Sequence, residues 1–242
     1  MAVPGRHPAE EALAAGRARR LLLAEGRRDS RLRALVQQAE AAGVPVEIVP
    51  PAELERLSAG ARHQGVVALA EPYPTVELDD LLDLARRRGQ PALLVVAAGV
   101  EDPRNLGAIA RSAEGAGAHG LVVPARRAAP LSPTAAKAAA GALEHLPVAV
   151  VPNAARALDE LKAAGIWIYG TDPAAPRVYW EVDWTAPAAI VIGGEGAGLS
   201  RLVRESCDEL VRIPMNGRVS SLNASAAAAI LLYEAVRQRA LR

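Results

Sequence analysis

Apolar positions in this chain come in short runs broken by polar or glycine-rich stretches, and their spacing alternates between two periods. Residues 30–42 carry helical spacing through Leu32, Leu35, Val36 and Ala39, with Gly43 closing the run. Residues 8–15, residues 52–58 opened by Pro51, and the amphipathic stretch 78–88 closed by Gly89 read as further helices. Strand-length runs occupy 20–24, 46–49 and 65–70. Beyond Pro91 the alternation resumes, with strands predicted at 92–98, 120–123, 148–151, 166–169, 188–192 and 210–213. The intervening helices are predicted at 106–115, 133–140, 154–163, 200–205 and 222–239. Such interleaving implies an α/β protein with a mostly parallel sheet covered on both faces. Ligands of such sheets sit beyond the carboxyl ends of the strands. Pro72 and Pro74 break the pattern and read as a linker, so the expected domains are 1–71, a linker with leading helix at 72–90, and 91–242.

Composition narrows the class. A chain of 242 residues that is 51% apolar can build two small cores. No apolar run approaches the ~20 residues of a membrane span, so no membrane partner is expected. Cys207 is the only cysteine, which rules out a disulfide framework and suits a small core residue in a reducing, cytoplasmic setting. The four histidines are scattered without metal-ligand spacing, and no metal is expected.

A net charge of +1 gives no global polycation. Basic character is local and almost entirely arginine, with Arg17, Arg19, Arg20, Arg27, Arg28, Arg31 and Arg33 crowded near the N-terminus. The planar guanidinium fork matches phosphate, so this cluster could hold an RNA backbone. Charge alone favours the plainer account, a solvated face in an Arg-rich protein.

Three polar segments follow directly on predicted strands. In the first, residues 99–111, Pro103 disfavours helix at Asp102, Asn105 is placed to cap the next helix, and Arg111 falls on that helix's flank. The second, 190–199, holds the turn Gly193-Gly194-Glu195-Gly196-Ala197-Gly198, which would let a ligand touch backbone groups. As a dinucleotide fingerprint, and hence a sign of a nucleotide-dependent oxidoreductase, it comes too late in the chain. Its acidic partners Asp208 and Glu209 also follow too soon. The third, 213–225, is dense in polar groups at Ser220, Ser221, Asn223 and Ser225, with Ser221 a natural N-cap. The helix beyond it is rich in small residues that would permit close approach of a partner subunit. Spacing alone decides none of these segments.

Together, in this order and separation, they resemble the three motifs of the SpoU (TrmH-like) family of RNA 2′-O-methyltransferases that use S-adenosylmethionine (AdoMet). Residues 5–13 and 63–68 are similar to the N-terminal substrate-binding extension of the branch that methylates guanosine in 23S rRNA. The resemblance implies a small α/β RNA-binding domain, similar to a ribosomal-protein fold, and a C-terminal knotted parallel-sheet SPOUT domain working as a homodimer. By motif it assigns Asn105, Arg111, Glu195, Ser221 and Asn223 to catalysis, and Thr171, Gly193, Ile213 and Leu222 to AdoMet. It also raises the reading of Arg19, Arg20, Arg27, Arg28 and Arg31 as RNA contacts. Arginine holds its proton across the ordinary pH range and makes a poor free base, so Arg111 is expected to clamp a phosphate and orient the 2′-hydroxyl. Alternatives within the resemblance are tRNA or an antibiotic-target rRNA nucleotide as substrate, or a non-catalytic RNA binder.

Overall fold

The computed structural model describes residues 1–26 and 30–241. The first unit runs β1 (Ala2–Pro4), α1 (Arg6–Ala14), β2 (Ala18–Ala24), α2 (Ser30–Ala41), β3 (Val46–Val49), α3 (Pro51–Ser58) and β4 (Val66–Ala70). Its strands form a mixed four-stranded sheet in the order β1-β4-β2-β3. Alternate residues of β2 face opposite sides: Leu21 joins Leu35, Val66 and Ala68 in one core, while Leu22 joins Leu54 and Val67 in the other.

The second unit begins with β5 (Thr75–Val76), α4 (Leu78–Arg88), β6 (Leu93–Ala98), α5 (Pro103–Gly115), β7 (Gly120–Pro124) and α6 (Pro133–Ala139). It continues through β8 (Val148–Val151), α7 (Ala154–Ala163), β9 (Trp167–Thr171) and β10 (Arg177–Val178). It ends with β11 (Ala188–Gly193), α8 (Arg201–Glu205), β12 (Glu209–Arg212) and α9 (Ala224–Ala240). Eight strands pair in the order β10-β12-β9-β11-β6-β7-β8-β5, every pair parallel. Burial on both faces explains the continuous apolar runs of β6 and β11. Leu93, Val95 and Ala97 pack with α5 and α9 on one face; Leu94, Val96 and Ala98 pack with α4 and α7 on the other. No described helix is long and apolar enough to cross a membrane.

The predicted elements match within a few residues, and the exceptions are instructive. β1, β5 and β10 are two or three residues long, too short to show a period. Asn105 does not cap α5. Pro103 takes the first helical position, so Asp102 becomes the N-cap and its carboxylate accepts from the Arg104 backbone N–H at 2.8 Å. Nor does Ser221 cap α9: residues 213–223 stay irregular, and Asn223 Oδ1 accepts from the Ser225 and Ala226 backbone N–H groups. The small-residue face of α9 is spent largely within the chain, with Ala224, Ala228, Leu231, Leu232 and Ala235 buried against α5 and β11.

The two units meet through a buried cluster. Arg17, grouped above with the surface arginines, instead forms a bidentate ion pair with Glu144, and both side chains are withdrawn from solvent. Its guanidinium lies 3.8 Å above the Tyr73 ring and also donates to the Glu71 carbonyl. His145 Nε2 lies 3.0 Å from Glu11 on the same seam. Tyr73, between the two prolines of the expected linker, is buried in the core of the second unit.

Candidate active site

The three polar segments converge at the carboxyl ends of β6, β11 and β12, where a twisted parallel sheet offers its crevice. At the end of β11 the chain has no room for side chains. A Cβ on Gly193 would lie 2.5 Å from the Gly198 carbonyl carbon, and one on Gly194 would lie 2.2 Å from Gly99 O. Two backbone hydrogen bonds between Gly194 and Gly198, at 3.2 and 3.0 Å, close the turn. The glycines here thus answer first to the chain's own backbone, with the loop after β6 packed against the loop after β11.

Glu195, at the tip of that turn, is the hub of a polar triangle. Its Oε1 accepts from Asn105 Nδ2 and from Asn223 Nδ2, the latter at 3.0 Å. Asn223 Nδ2 is also 3.0 Å from Asn105 Oδ1. Three segments remote in sequence are thereby tied side chain to side chain, and the Asn105 amide is buried as it does so.

Beside the triangle lies a cavity of about 500 Å³, within the ~300–1,000 Å³ range of sites for cofactor-sized ligands. Thr171, Gly193, Ile213 and Leu222 all line it, as do Glu195, Ser221 and Asn223. The Thr171 hydroxyl donates to Val191 O at 3.0 Å, which fixes the ends of β9 and β11. Asp172 and Met215 also line the cavity and were not singled out from the sequence. Asp172 is buried, ion-paired with Arg204, and its Oδ1 accepts from the Ala174 backbone N–H at 2.7 Å, a turn that sequence spacing does not announce.

Arg111 stands apart. It lies six residues beyond Asn105 on α5, about 9 Å along the axis and on a different face. It is exposed, lines neither this cavity nor the larger cleft beside it, and pairs with no described residue. Of the other arginines, Arg19 pairs with Glu71 at 2.6 Å and Arg20 with Glu47 at 3.4 Å on the exposed surface, and Arg31 is exposed. Arg27 and Arg28 lie outside the described residues. Cys207 is not a nucleophile in waiting: burial, with Asp208 beside it, pushes its thiol up to about 11.

A parallel-sheet domain with a polar triangle beside a cofactor-sized cavity is thus joined to a small mixed-sheet unit. Residues 92–233 match the SpoU rRNA methylase family, and residues 2–76 match the RNA 2′-O ribose methyltransferase substrate-binding family. The chain belongs to the SpoU family of RNA methyltransferases. It is 47% identical over 214 residues, 88% of this chain and 86% of the other, to the 23S rRNA (guanosine-2′-O-)-methyltransferase RlmB of Bordetella pertussis. It is 44% identical over 220 residues, 91% and 88% of the two chains, to YacO of Bacillus subtilis, a TrmH-family protein whose description leaves tRNA and rRNA open. The crystal structure of the SpoU methyltransferase AviRb from Streptomyces viridochromogenes in complex with AdoMet superposes with a TM-score of 0.83 at 33% identity, covering 100% of this chain and 91% of that one.

Proposed function

We propose that this chain transfers a methyl group from AdoMet to the ribose 2′-hydroxyl of a guanosine in 23S rRNA, acting as a cytoplasmic homodimer. The observation that carries this reading is the meeting of the cofactor-sized cavity with the Asn105–Glu195–Asn223 triangle at the strand ends. The likeness to a named 23S rRNA guanosine methyltransferase and to an AdoMet-bound structure supports substrate and donor.

The cavity suits the donor chemically. It combines apolar walls from Ile213, Met215 and Leu222 with hydroxyls and backbone groups from Thr171, Gly193 and Ser221, a mixture fitted to an adenosine carrying a polar tail. When bound, AdoMet supplies a methyl group on a sulfonium, an electrophile that needs no further activation. The triangle's work is to hold the loops after β6, β11 and β12 at fixed separation, so that the hydroxyl meets the methyl in a productive geometry. Such positioning is worth up to ~7–11 kcal/mol of barrier. The hydroxyl must lose its proton as it attacks. Arg111 would orient it by clamping the adjacent phosphate, with phosphate or water accepting the proton.

Within one chain Arg111 is remote from the cavity, and a homodimer is the arrangement that would bring it to a second chain's site. The knot implied by the family likeness belongs to the same reading. Between β12 and α9, Ile213, Met215 and residues 220–223 line the cavity. Residues 1–71, with Arg19, Arg20 and Arg31 exposed, would hold the RNA; residues 72–90 join that unit to the transferase, 91–242.

Incubation with tritiated AdoMet and separate 23S rRNA, 16S rRNA and tRNA, followed by nucleoside mapping, tests the proposal. Label in 2′-O-methylguanosine of 23S rRNA is expected. Label confined to tRNA would move the substrate assignment, and AdoMet binding without transfer to any RNA would overturn catalysis.

A further inference from the structure

A second concavity, about 1130 Å³, opens beside the cofactor cavity and shares Gly194, Glu195, Gly198 and Ala224 with it. It lies beyond the carboxyl ends of β6, β7 and β8. Arg126 and Arg127, on the bend that follows β7, line it together with the exposed apolar side chains of Val150 and Leu202. That pairing of guanidinium and apolar surface suits a nucleotide splayed from its strand, with phosphate on one wall and base on the other.

The bend is held rather than loose. Ala125 N donates to Val151 O at 2.8 Å on one side of it, and Ala129 N donates to Val100 O at 2.7 Å on the other. Between these clamps Arg127 adopts φ +55°, a left-handed conformation uncommon for a non-glycine residue and found among the described residues also at Ala59, Gln64 and Ala140. Both arginines are exposed, and neither forms a hydrogen bond or ion pair with any described residue. Glu101, Asp102 and Glu195 also line the cleft. Asp102 and Glu195 accept hydrogen bonds from neutral N–H groups and keep their charge, so among the described residues the two arginines supply the cleft's only guanidinium groups against three carboxylates.

We infer that this cleft receives the acceptor strand of the RNA, with Arg126 and Arg127 holding a phosphate next to the methylated nucleotide. The inference rests on the proposed methyl transfer, since it places the acceptor against the shared wall of the donor cavity. It assigns the arginines to RNA affinity and leaves the donor site untouched.

The test uses the full chain with Arg126→Ala/Arg127→Ala and Arg126→Lys/Arg127→Lys double variants. AdoMet binding by calorimetry reports the fold and the donor site, and is expected to match the wild type in both. Affinity for transcribed 23S rRNA is measured across a KCl series. The log–log salt slope of the alanine variant should fall by about 0.7–0.9 for the one phosphate the two arginines hold. Its KM for RNA should rise at least tenfold, as an order of magnitude for two lost charge-assisted contacts. The lysine variant should keep the slope, because charge is retained, and show an intermediate KM. An alanine variant with wild-type slope and KM overturns the inference, as does one that loses AdoMet affinity in parallel. Failure of the wild type to methylate any RNA would sink the proposed function instead, and the salt slope would still score the cleft.

Discussion

Asn223, the N-cap of α9, reaches 118 positions back along the chain to meet Asn105 in α5, Nδ2 to Oδ1 at 3.0 Å. One side chain therefore starts a helix through its oxygen and ties two loops together through its nitrogen. The roles can be separated. Asn223→Ser keeps a capping oxygen and removes the amide donor, so Tm should stay within a few degrees while methyl transfer falls sharply. Asn223→Ala removes both and should cost roughly 1 kcal/mol more, a further fall of about 2–4 °C for a chain this size. Differential scanning calorimetry beside single-turnover methylation separates the two, and a fully active serine variant would deny the triangle its role.

Glu195 and Asn105 should be strongly coupled. Glu195→Ala strands the buried Asn105 amide, at about 1–3 kcal/mol, whereas the double variant with Asn105→Ala removes donor and acceptor together. A double-mutant cycle from urea unfolding should give an interaction energy of at least ~0.5 kcal/mol. Simple additivity would mean the contact adds nothing to stability.

Arg17 and Glu144 form a buried pair, so removing either partner leaves a charge without its counter-ion. Arg17→Ala or Glu144→Ala should each cost about 3–5 kcal/mol, whereas Arg17→Met with Glu144→Leu should recover most of the loss. Single variants within about 1 kcal/mol of wild type in chemical denaturation would contradict the burial.

His119 predicts acid sensitivity. Burial first, then Arg88 and Arg239, lowers its pKa below the ordinary 6.5, and its Nδ1 accepts from the Leu93 backbone N–H at 3.1 Å. Unfolding frees the ring to take a proton, so the unfolded chain binds more protons between the lowered and the ordinary pKa. Stability from this group is complete above pH about 6.5 and declines as pH falls through that value toward the folded pKa. His119→Asn retains an acceptor that does not titrate. The difference in urea midpoint between pH 7.5 and 5.5 should be smaller in the variant, and an equal difference would assign the acid sensitivity elsewhere.

Arg111 offers a test of assembly. If it serves the other chain's cavity, coexpressed Arg111→Ala and Asn223→Ser chains, each nearly inactive alone, should regain activity in mixed dimers, with about a quarter of the sites intact on random pairing. No recovery would place Arg111 in its own chain's chemistry or outside it.

Long buried strands were legible because both faces of β6 and β11 are covered, which writes an unbroken apolar run. Caps were harder. Ser220, Ser221 and Asn223 all have capping side chains, and only the path of residues 213–223 decides among them. At α5 the deciding signal was present, since proline at the first helical position leaves Asp102 as the cap. Arg17 sat in a run of surface arginines, and nothing local could show that its partner lies 127 residues away. Arg126 and Arg127 were passed over because a short basic pair carries no period. Their significance comes from the clamped bend and the cleft they line.

The clasp of Arg17, Tyr73 and Glu144 has a consequence for how large partners are chosen. Two units joined by a slack tether could embrace targets of many shapes, each at its own span. Here the seam is buried and ion-paired, which holds the first unit against the second. On the proposed reading, an RNA that touches both units would have to match a span set by this clasp, as a part is matched to a calliper.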